Sequence, residues 1–102
     1  MKLVLDSEAK EDLRNLNESL RKEIGKLIEN LKENPLPENS YVIQLPGGTE
    51  IQCLKIQEED RNSELNHRVT YDIKDDDFIR IYGIFDRMPG YQSIKEKTER
   101  RM

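Results

Sequence analysis

The apolar residues of this chain change their spacing once, and that change constrains the fold more than any other feature of the sequence. Before Pro35 they recur every three or four residues, which is the spacing of one helix face. After Gly48 they alternate with polar residues, which is typical of strands with one buried face. Helical and strand patterns in this order predict an α+β fold, in which a helical layer packs on a sheet.

Two helices are expected before Pro35. The first spans about residues 7–16, and Asn17 is expected to cap the second, because an asparagine side chain can accept a hydrogen bond from a free backbone N–H group. The second helix should end at Asn34, since a proline disfavours helical geometry in the residue before it. We predict that the two helices form an antiparallel hairpin with their apolar faces turned inward.

Strands are expected on both sides of this helical region. They are predicted over residues 2–5, 41–45, 50–56, 67–73 and 78–85. Turns over 46–48 and 74–77 and an acidic loop over 57–66 connect the later strands. The polar segment 91–101 is predicted to be a short helix or a frayed tail. The expected fold is an N-terminal strand and a two-helix hairpin packed on one face of a three- to four-stranded antiparallel sheet.

Alternation along the predicted strands assigns their side chains to two faces. The side chains expected to meet the helices are Leu54, Ile56, Val69, Tyr71, Ile73, Ile79 and Ile81. The opposite face, expected to be uncovered, carries Cys53, Lys55, Arg68, Thr70, Arg80 and Tyr82. Cations and a tyrosine on one open sheet surface form the first group of residues that could carry chemistry.

Length and composition exclude several classes of protein. A chain of 102 residues predicts a single domain over 1–102. No apolar run approaches the roughly 18–20 residues needed to span a membrane, and the N-terminal segment turns acidic too early for a secretory signal. The single cysteine, Cys53, excludes an internal disulfide and fits a reducing compartment, so a cytoplasmic location is expected.

Charge is distributed unevenly along the chain. The formal net charge of −4 argues against a general affinity of the whole surface for nucleic acid. Residues 87–102, however, hold five basic and two acidic side chains. Such a basic segment indicates either contact with a polyanion or a solvated helix end.

Two strand segments carry a resemblance to a known family. Residues 66–73 (NHRVTYDI), an acidic turn and residues 78–87 (FIRIYGIFDR) resemble the RelE/ParE toxin superfamily, and in particular the RelE-like branch of type II toxin–antitoxin systems. The opening strand, the segment SEAKEDL from Ser7 and the helix end KENP at Pro35 are also similar to these toxins. The resemblance covers about residues 2–92.

The resemblance implies an activity and a set of site residues. It implies a ribosome-dependent, metal-independent mRNA endoribonuclease that inhibits translation and uses no cofactor. In such toxins a ribose 2′-hydroxyl attacks the adjacent phosphate. Lys55 and Arg68 match basic residues that hold phosphate, and Arg87 matches one that stabilises the transition state or acts as a general acid. Tyr91 matches a tyrosine that stacks on a base or assists proton removal.

Each of these residues also has a purely structural interpretation. Lys55 could be a solvated strand lysine, Arg68 could pair with Asp72, Arg87 could pair with Asp86, and Tyr91 could pack the final segment on the sheet. Two further side chains, expected as contacts of the open face, are Arg80 and Tyr82. His67 shares the side of the helix-facing residues, so we expect a packed histidine and not a general base.

Three departures from the family pattern leave other functions open. Cys53 stands where many members carry a second basic residue, Asp86 precedes Arg87, and the net charge is negative. The alternatives are a ParE-like inhibitor of DNA gyrase without nuclease activity and a catalytically inactive binding module on the same fold. The partners implied are a cognate antitoxin, with the ribosome and mRNA for a RelE-like toxin or DNA gyrase for a ParE-like one, and no membrane.

Overall fold

Over residues 1–57, 65–75, 77–88 and 90–102, which the computed structural model describes, the chain forms five strands and three helices. In chain order they are β1 (Lys2–Leu5), α1 (Ser7–Arg14), α2 (Glu18–Asn30), β2 (Ser40–Gln44), β3 (Glu50–Gln57), β4 (Asn66–Lys74), β5 (Phe78–Asp86) and α3 (Tyr91–Arg101). The predicted α+β class is confirmed, and every strand bound lies within one residue of its predicted position.

The strands form one sheet in the order β1-β5-β4-β3-β2. Strands β2 to β5 are the antiparallel series that alternation predicts. Strand β1 runs parallel to β5, with Lys2 opposite Phe78 and Leu5 opposite Ile81. The expected three to four strands are therefore too few, because the opening strand joins the sheet beside the last one. Periodicity identifies a strand but does not name its pairing partner.

The two N-terminal helices cover one face of the sheet, called here the hairpin face. Asn17 caps α2 as predicted, since its Oδ1 accepts a hydrogen bond from the Leu20 N–H at 2.9 Å. Helix α2 ends at Asn30, earlier than the predicted Asn34, because Leu31 and Lys32 already bond three residues back in tighter turns. The predicted helix-facing strand residues lie in the main apolar core, which also holds Ala9, Ile24, Ile28 and Leu31.

A bulge in β5 changes the alternation of that strand. Thr70 lies opposite Gly83, whereas Tyr71 lies opposite Ile81, so Tyr82 is the extra residue. After the bulge Ile84 joins the main core together with Ile81. A Cβ at Gly83 would overlap the Phe85 ring and the Arg101 guanidinium, so only glycine allows these side chains to lie against the strand.

Helix α3 covers the opposite face of the sheet, called here the α3 face. Ile94 and Thr98 of this helix are buried, and the Thr98 hydroxyl bonds to the Thr70 hydroxyl at 3.0 Å. The expectation of an uncovered face is therefore wrong, and segment 91–101 is a helix and not a frayed tail. A second, smaller apolar cluster lies on this face and contains Ile43, Leu45, Ile51, Cys53 and Tyr82.

Two predicted connections fall partly outside the described residues. In the acidic loop predicted over 57–66, residues 58–64 are outside them, and so is Asp76 of the predicted 74–77 turn. In that turn the Asp77 N–H donates to the Lys74 carbonyl at 3.0 Å. None of the helices in the described part of the chain is long and apolar enough to cross a membrane.

Candidate functional site

The hydroxyl of Tyr91 is the centre of a polar group at the start of α3. Gly90 precedes it with φ 136° and ψ 178°, a conformation almost restricted to glycine, and this turn leads the chain into α3. The Tyr91 oxygen accepts a hydrogen bond from Arg68 Nε at 2.9 Å and forms a second one with the hydroxyl of Tyr41. Tyr91 therefore joins α3 to β4 and β2.

Arg68 is buried on the α3 face and is only 3% exposed. Its Nη1 donates to the Asn66 Oδ1 at 3.2 Å and to the His67 carbonyl at 2.9 Å. Asp72 pairs with Lys74 instead of Arg68, and in the described part of the chain no carboxylate forms an ion pair with Arg68. Its guanidinium therefore keeps a positive charge that no described carboxylate offsets, and a buried charge of this kind favours an anionic ligand.

Arg87 lies on the ring of Tyr91. Its Cζ is 4.6 Å from the ring centroid, and the Arg68 Cζ is 5.6 Å from the same centroid. The backbone N–H of Arg87 donates to the Asn66 carbonyl at 3.0 Å. The Asp86 carboxylate accepts from the Met88 N–H, and among the described residues it forms no ion pair with Arg87. The charge of Arg87 is thus available beside the Tyr91 ring.

These neighbours lower the pKa of Tyr91. Burial alone would raise the pKa of this phenol, but the hydrogen bonds from Arg68 and Tyr41 and the charge of Arg68 outweigh burial. For Tyr41 burial raises the pKa, and the hydrogen bonds to Tyr91 and Cys53 act in the same direction. Of the two linked phenols, Tyr91 is therefore the one that ionises first.

Sequence reasoning missed Tyr41. Tyr41 lies opposite Cys53 in the β2–β3 pair, and the Cys53 Sγ is 3.5 Å from the Tyr41 hydroxyl. The rings of Tyr41 and Tyr91 meet edge to face, with centroids 6.2 Å apart. A signal existed, because pairing the strands that flank the 46–48 turn as a hairpin places residue 41 beside residue 53. Cys53 is buried and takes part in this contact, and burial raises the pKa of its thiol.

Lys55 lies next to this group, on the neighbouring strand. It is exposed and stands opposite Arg68 in the β3–β4 pair, so their Cβ atoms are about 4.5–5.5 Å apart. The four residues singled out by the resemblance are thus close together: Lys55, Arg68, Arg87 and Tyr91. This arrangement places two guanidiniums at one tyrosine of lowered pKa, with an exposed lysine on the neighbouring strand.

Arg80 and Tyr82 do not belong to this group. Arg80 pairs with Asp6 at 2.9 Å and lies over the Tyr82 ring, which is buried. Residue 80 is five positions along β5 from Phe85, the residue opposite Arg68, and five strand residues span about 16 Å. Arg80 thus ties β5 to Asp6, between β1 and α1, whereas Tyr82 is buried in the smaller apolar cluster, so the two do not form contacts of an open face.

His67 is buried, as its place in the alternation predicts. Its Nδ1 has no hydrogen-bond partner within the described ranges. Burial lowers the pKa of the imidazole, with nearby Asp86 opposing and Arg68 adding to that effect. The neutral form is therefore favoured. Its neighbour across the strand pair is Ile56, on the hairpin face, so the ring does not face the Tyr91 hydroxyl.

Comparison with known proteins identifies the fold. No family model and no curated protein matches the chain. A doubly substituted form of the E. coli toxin RelE in the free state matches with a TM-score of 0.67 and 19% identity, covering 99% of this chain and 96% of that one. The isolated E. coli RelE toxin matches with 0.61 and 20%, covering 99% and 98%. The toxin–antitoxin complex RelBE of E. coli matches with 0.54 and 19%, covering 83% and 94%. This chain therefore has a RelE-like fold.

Proposed function

We propose that this chain is the toxin of a type II toxin–antitoxin system and that it cleaves mRNA on the ribosome without a metal ion. The observation that carries the proposal is the position of Tyr91. Its hydroxyl accepts a hydrogen bond from Arg68, and its ring lies under the Arg87 guanidinium. A phenol of lowered pKa between two cations combines a proton acceptor with an anion site. Cleavage by a 2′-hydroxyl needs both, because negative charge builds on the phosphate as the hydroxyl loses its proton.

The roles of the side chains follow from their exposure and bonding. Arg87 is partly exposed and forms no ion pair with a carboxylate in the described ranges. It therefore stabilises the charge on the phosphate in the transition state. Arg68 is mostly buried and holds the Tyr91 oxygen through Nε. Its Nη1 is bonded to the Asn66 side chain and to the His67 carbonyl, so we expect Arg68 to act on a phosphate mainly through its charge. Lys55 is exposed beside Arg68 and attracts the RNA backbone.

A cognate antitoxin is the proposed protein partner, and the cytoplasm the proposed location. One of the similar solved structures is a toxin–antitoxin complex, which supports this partner. The short α1, with eight residues, supports the RelE-like function over the ParE-like alternative, in which the helical hairpin is longer. DNA gyrase is therefore an outcome for the test to exclude.

The test is primer extension on translated messages after expression of the chain in cells, followed by cleavage with purified ribosomes. Wild type should cut mRNA only where ribosomes are bound. Arg87→Ala should lower the cleavage rate about 10²–10³-fold, the usual cost of removing one group that stabilises transition-state charge. Arg100→Ala, which removes an exposed cation of α3, is the matched control and should cut like wild type.

Two results would contradict the proposal. Intact mRNA together with gyrase-linked DNA breaks would assign the chain to gyrase inhibition. Ribosome-dependent cleavage that survives in both Arg87→Ala and Tyr91→Phe would show that the Tyr91 group is not the site. Thermal unfolding of each variant shows whether a loss of cleavage comes from a loss of structure.

A further inference from the structure

Two hydrogen-bonding groups of the protein converge on the Tyr91 oxygen. Arg68 Nε donates to it at 2.9 Å, and an arginine can only donate. The Tyr41 hydroxyl bonds to the same oxygen, and either phenol could supply the proton of that bond. Which phenol donates decides whether the Tyr91 oxygen can accept a further proton.

Cys53 also bonds to the Tyr41 oxygen. Its thiol is fully buried and donates to the Tyr41 oxygen at 3.5 Å. If Tyr91 donated as well, the Tyr41 oxygen would receive two protons, and its own proton would have no partner in the described part of the chain. A Tyr91 phenolate has no proton to give, so in that form Tyr41 must donate, and the protons of Cys53 and Tyr41 then both have acceptors. Since Tyr91 is the phenol that ionises first, the hydrogen bonds of the ionised form run from Cys53 through Tyr41 to Tyr91.

We propose that Tyr41, with Cys53 behind it, is a positioning residue that donates to the Tyr91 oxygen and prepares it to take a proton from the ribose 2′-hydroxyl. A phenolate oxygen accepts from both Arg68 and Tyr41, whereas a neutral phenol must also place its own proton. The arrangement therefore favours the phenolate of Tyr91. That the proton comes from a ribose 2′-hydroxyl rests on the proposed function, whereas the donor series of Cys53, Tyr41 and Tyr91 is a property of the free protein.

The chemical step balances with these groups. The 2′-oxygen gives its proton to the Tyr91 phenolate and forms a bond to phosphorus. The bond from phosphorus to the 5′-oxygen breaks, and this oxygen takes a proton from water to leave as a hydroxyl. The products are a cyclic phosphate and neutral Tyr91, which returns a proton to solvent. Among the described residues, the ionisable groups around the Tyr91 side chain are Tyr41, Cys53, Arg68, Arg87 and, one strand away, Lys55.

Ultraviolet titration of the free protein tests the donor series without RNA. The chain has four tyrosines and no tryptophan, so the near-ultraviolet absorbance of tyrosinate can be followed directly. Wild type should show one tyrosine that ionises below the ordinary pKa of about 10, and Tyr91→Phe should abolish that step. Tyr41→Phe should move the step to higher pH. Tyr82→Phe, which removes a buried tyrosine outside the series, should leave it in place.

Cys53 variants keep the test decisive if Tyr41→Phe fails to fold. Cys53→Ser retains a donor and should leave the low step near its wild-type position, whereas Cys53→Ala should move it upward. In cleavage assays Tyr41→Phe should lower the rate at neutral pH about tenfold, the loss expected for one hydrogen bond to a charged group. The pH profile of its residual activity should shift upward as well.

The outcomes separate this inference from the proposed function. A low titration step that stays unchanged in both Tyr41→Phe and Cys53→Ala overturns the donor series, whatever the chain does to mRNA. A step that moves as expected in a chain that cuts no mRNA supports the donor series and overturns the cleavage function. Movement of the step together with the shifted pH profile supports both.

Discussion

The two faces of the sheet are held by different interactions. On the hairpin face α1 and α2 bury a continuous apolar core that includes Ile24, Tyr71 and Ile81. On the α3 face the helix contributes two buried side chains, Ile94 and Thr98, and otherwise holds to the sheet through polar contacts. The contrast separates two tasks, because the hairpin face supplies stability while the α3 face places polar groups around Tyr91.

Helix α3 is fixed at both of its termini. Near its C-terminus Arg101 bonds to the Asp12 carboxylate at 2.6 and 3.3 Å, to Glu8 at 2.9 Å and to the Tyr82 carbonyl at 3.0 Å. The Asp12 carboxylate also accepts from the Ile84 N–H at 3.0 Å. At the other end the Tyr91 hydroxyl makes the contacts described above. A few polar interactions therefore decide whether the candidate site is assembled.

The hairpin face should show the largest stability effect. Ile81→Ala removes a side chain with no exposure from the main core, and we expect a free energy of unfolding about 2–5 kcal/mol lower, measured by urea denaturation. Val42→Ala, at an exposed position of β2, is the control and should change it by less than about 0.5 kcal/mol. Equal effects of the two variants would break the contrast between core and surface.

The next effect in size is expected at the anchor of α3. Arg101→Met removes the ion pairs to Asp12 and Glu8 while keeping an unbranched side chain, and we expect a loss of about 1.5–3 kcal/mol. Backbone amides of α3 should then exchange hydrogen faster than those of β4. Arg100→Met, which alters the exposed neighbour, should leave both measurements near wild type. Unchanged exchange in Arg101→Met would show that polar contacts do not hold this helix.

A smaller effect is expected from the buried hydroxyl pair. Thr98→Val leaves the Thr70 hydroxyl without its partner and should cost about 1 kcal/mol of unfolding free energy. In the double variant Thr70→Val with Thr98→Val both polar groups are gone, so the loss should be smaller than the sum of the single losses. A double-mutant cycle measures the difference, and strict additivity would mean that the bond contributes nothing.

The smallest effect at neutral pH is expected for His67. Because burial lowers its pKa in the folded protein, the imidazole is neutral in both states above its ordinary pKa of about 6.5. As the pH falls from about 6.5 toward the folded pKa, the unfolded chain binds a proton that the folded chain does not, so stability falls, by at most about 1.4 kcal/mol for each pH unit. His67→Leu should remove this part of the slope. Urea denaturation at several pH values measures it, and an identical slope in the variant would assign the dependence to other groups.

The hairpin face could be predicted from the sequence because its signals are local. Apolar spacing identifies α1, α2 and the later strands. Asn17 marks the start of α2, and Pro35 marks the end of the helical region. What local signals lack is pairing at long range. They place Lys2–Leu5 in a strand but not beside Phe78, and they do not reveal the bulge at Tyr82 that shifts the alternation of β5.

The α3 face could be predicted only in part. The resemblance selects Lys55, Arg68, Arg87 and Tyr91, and the structure places them close together. The covering of the face was missed because α3 has a weak apolar stripe and is held by pairs such as Arg101 with Asp12, which no periodicity reveals. Tyr41 was missed for the same reason, since its role depends on a register that only the assembled sheet defines.

The parallel pairing of β1 with β5 has a consequence for how the chain folds. Lys2 finds its partner at Phe78, and both N-terminal helices and three strands lie between them in sequence. Contacts this distant along a chain form slowly, because a large loop must close before they are gained. We therefore expect the strand that is first in sequence to be among the last to join the sheet. Until it does, the outer edge of β5 presents unpaired backbone groups, a template for pairing with another chain.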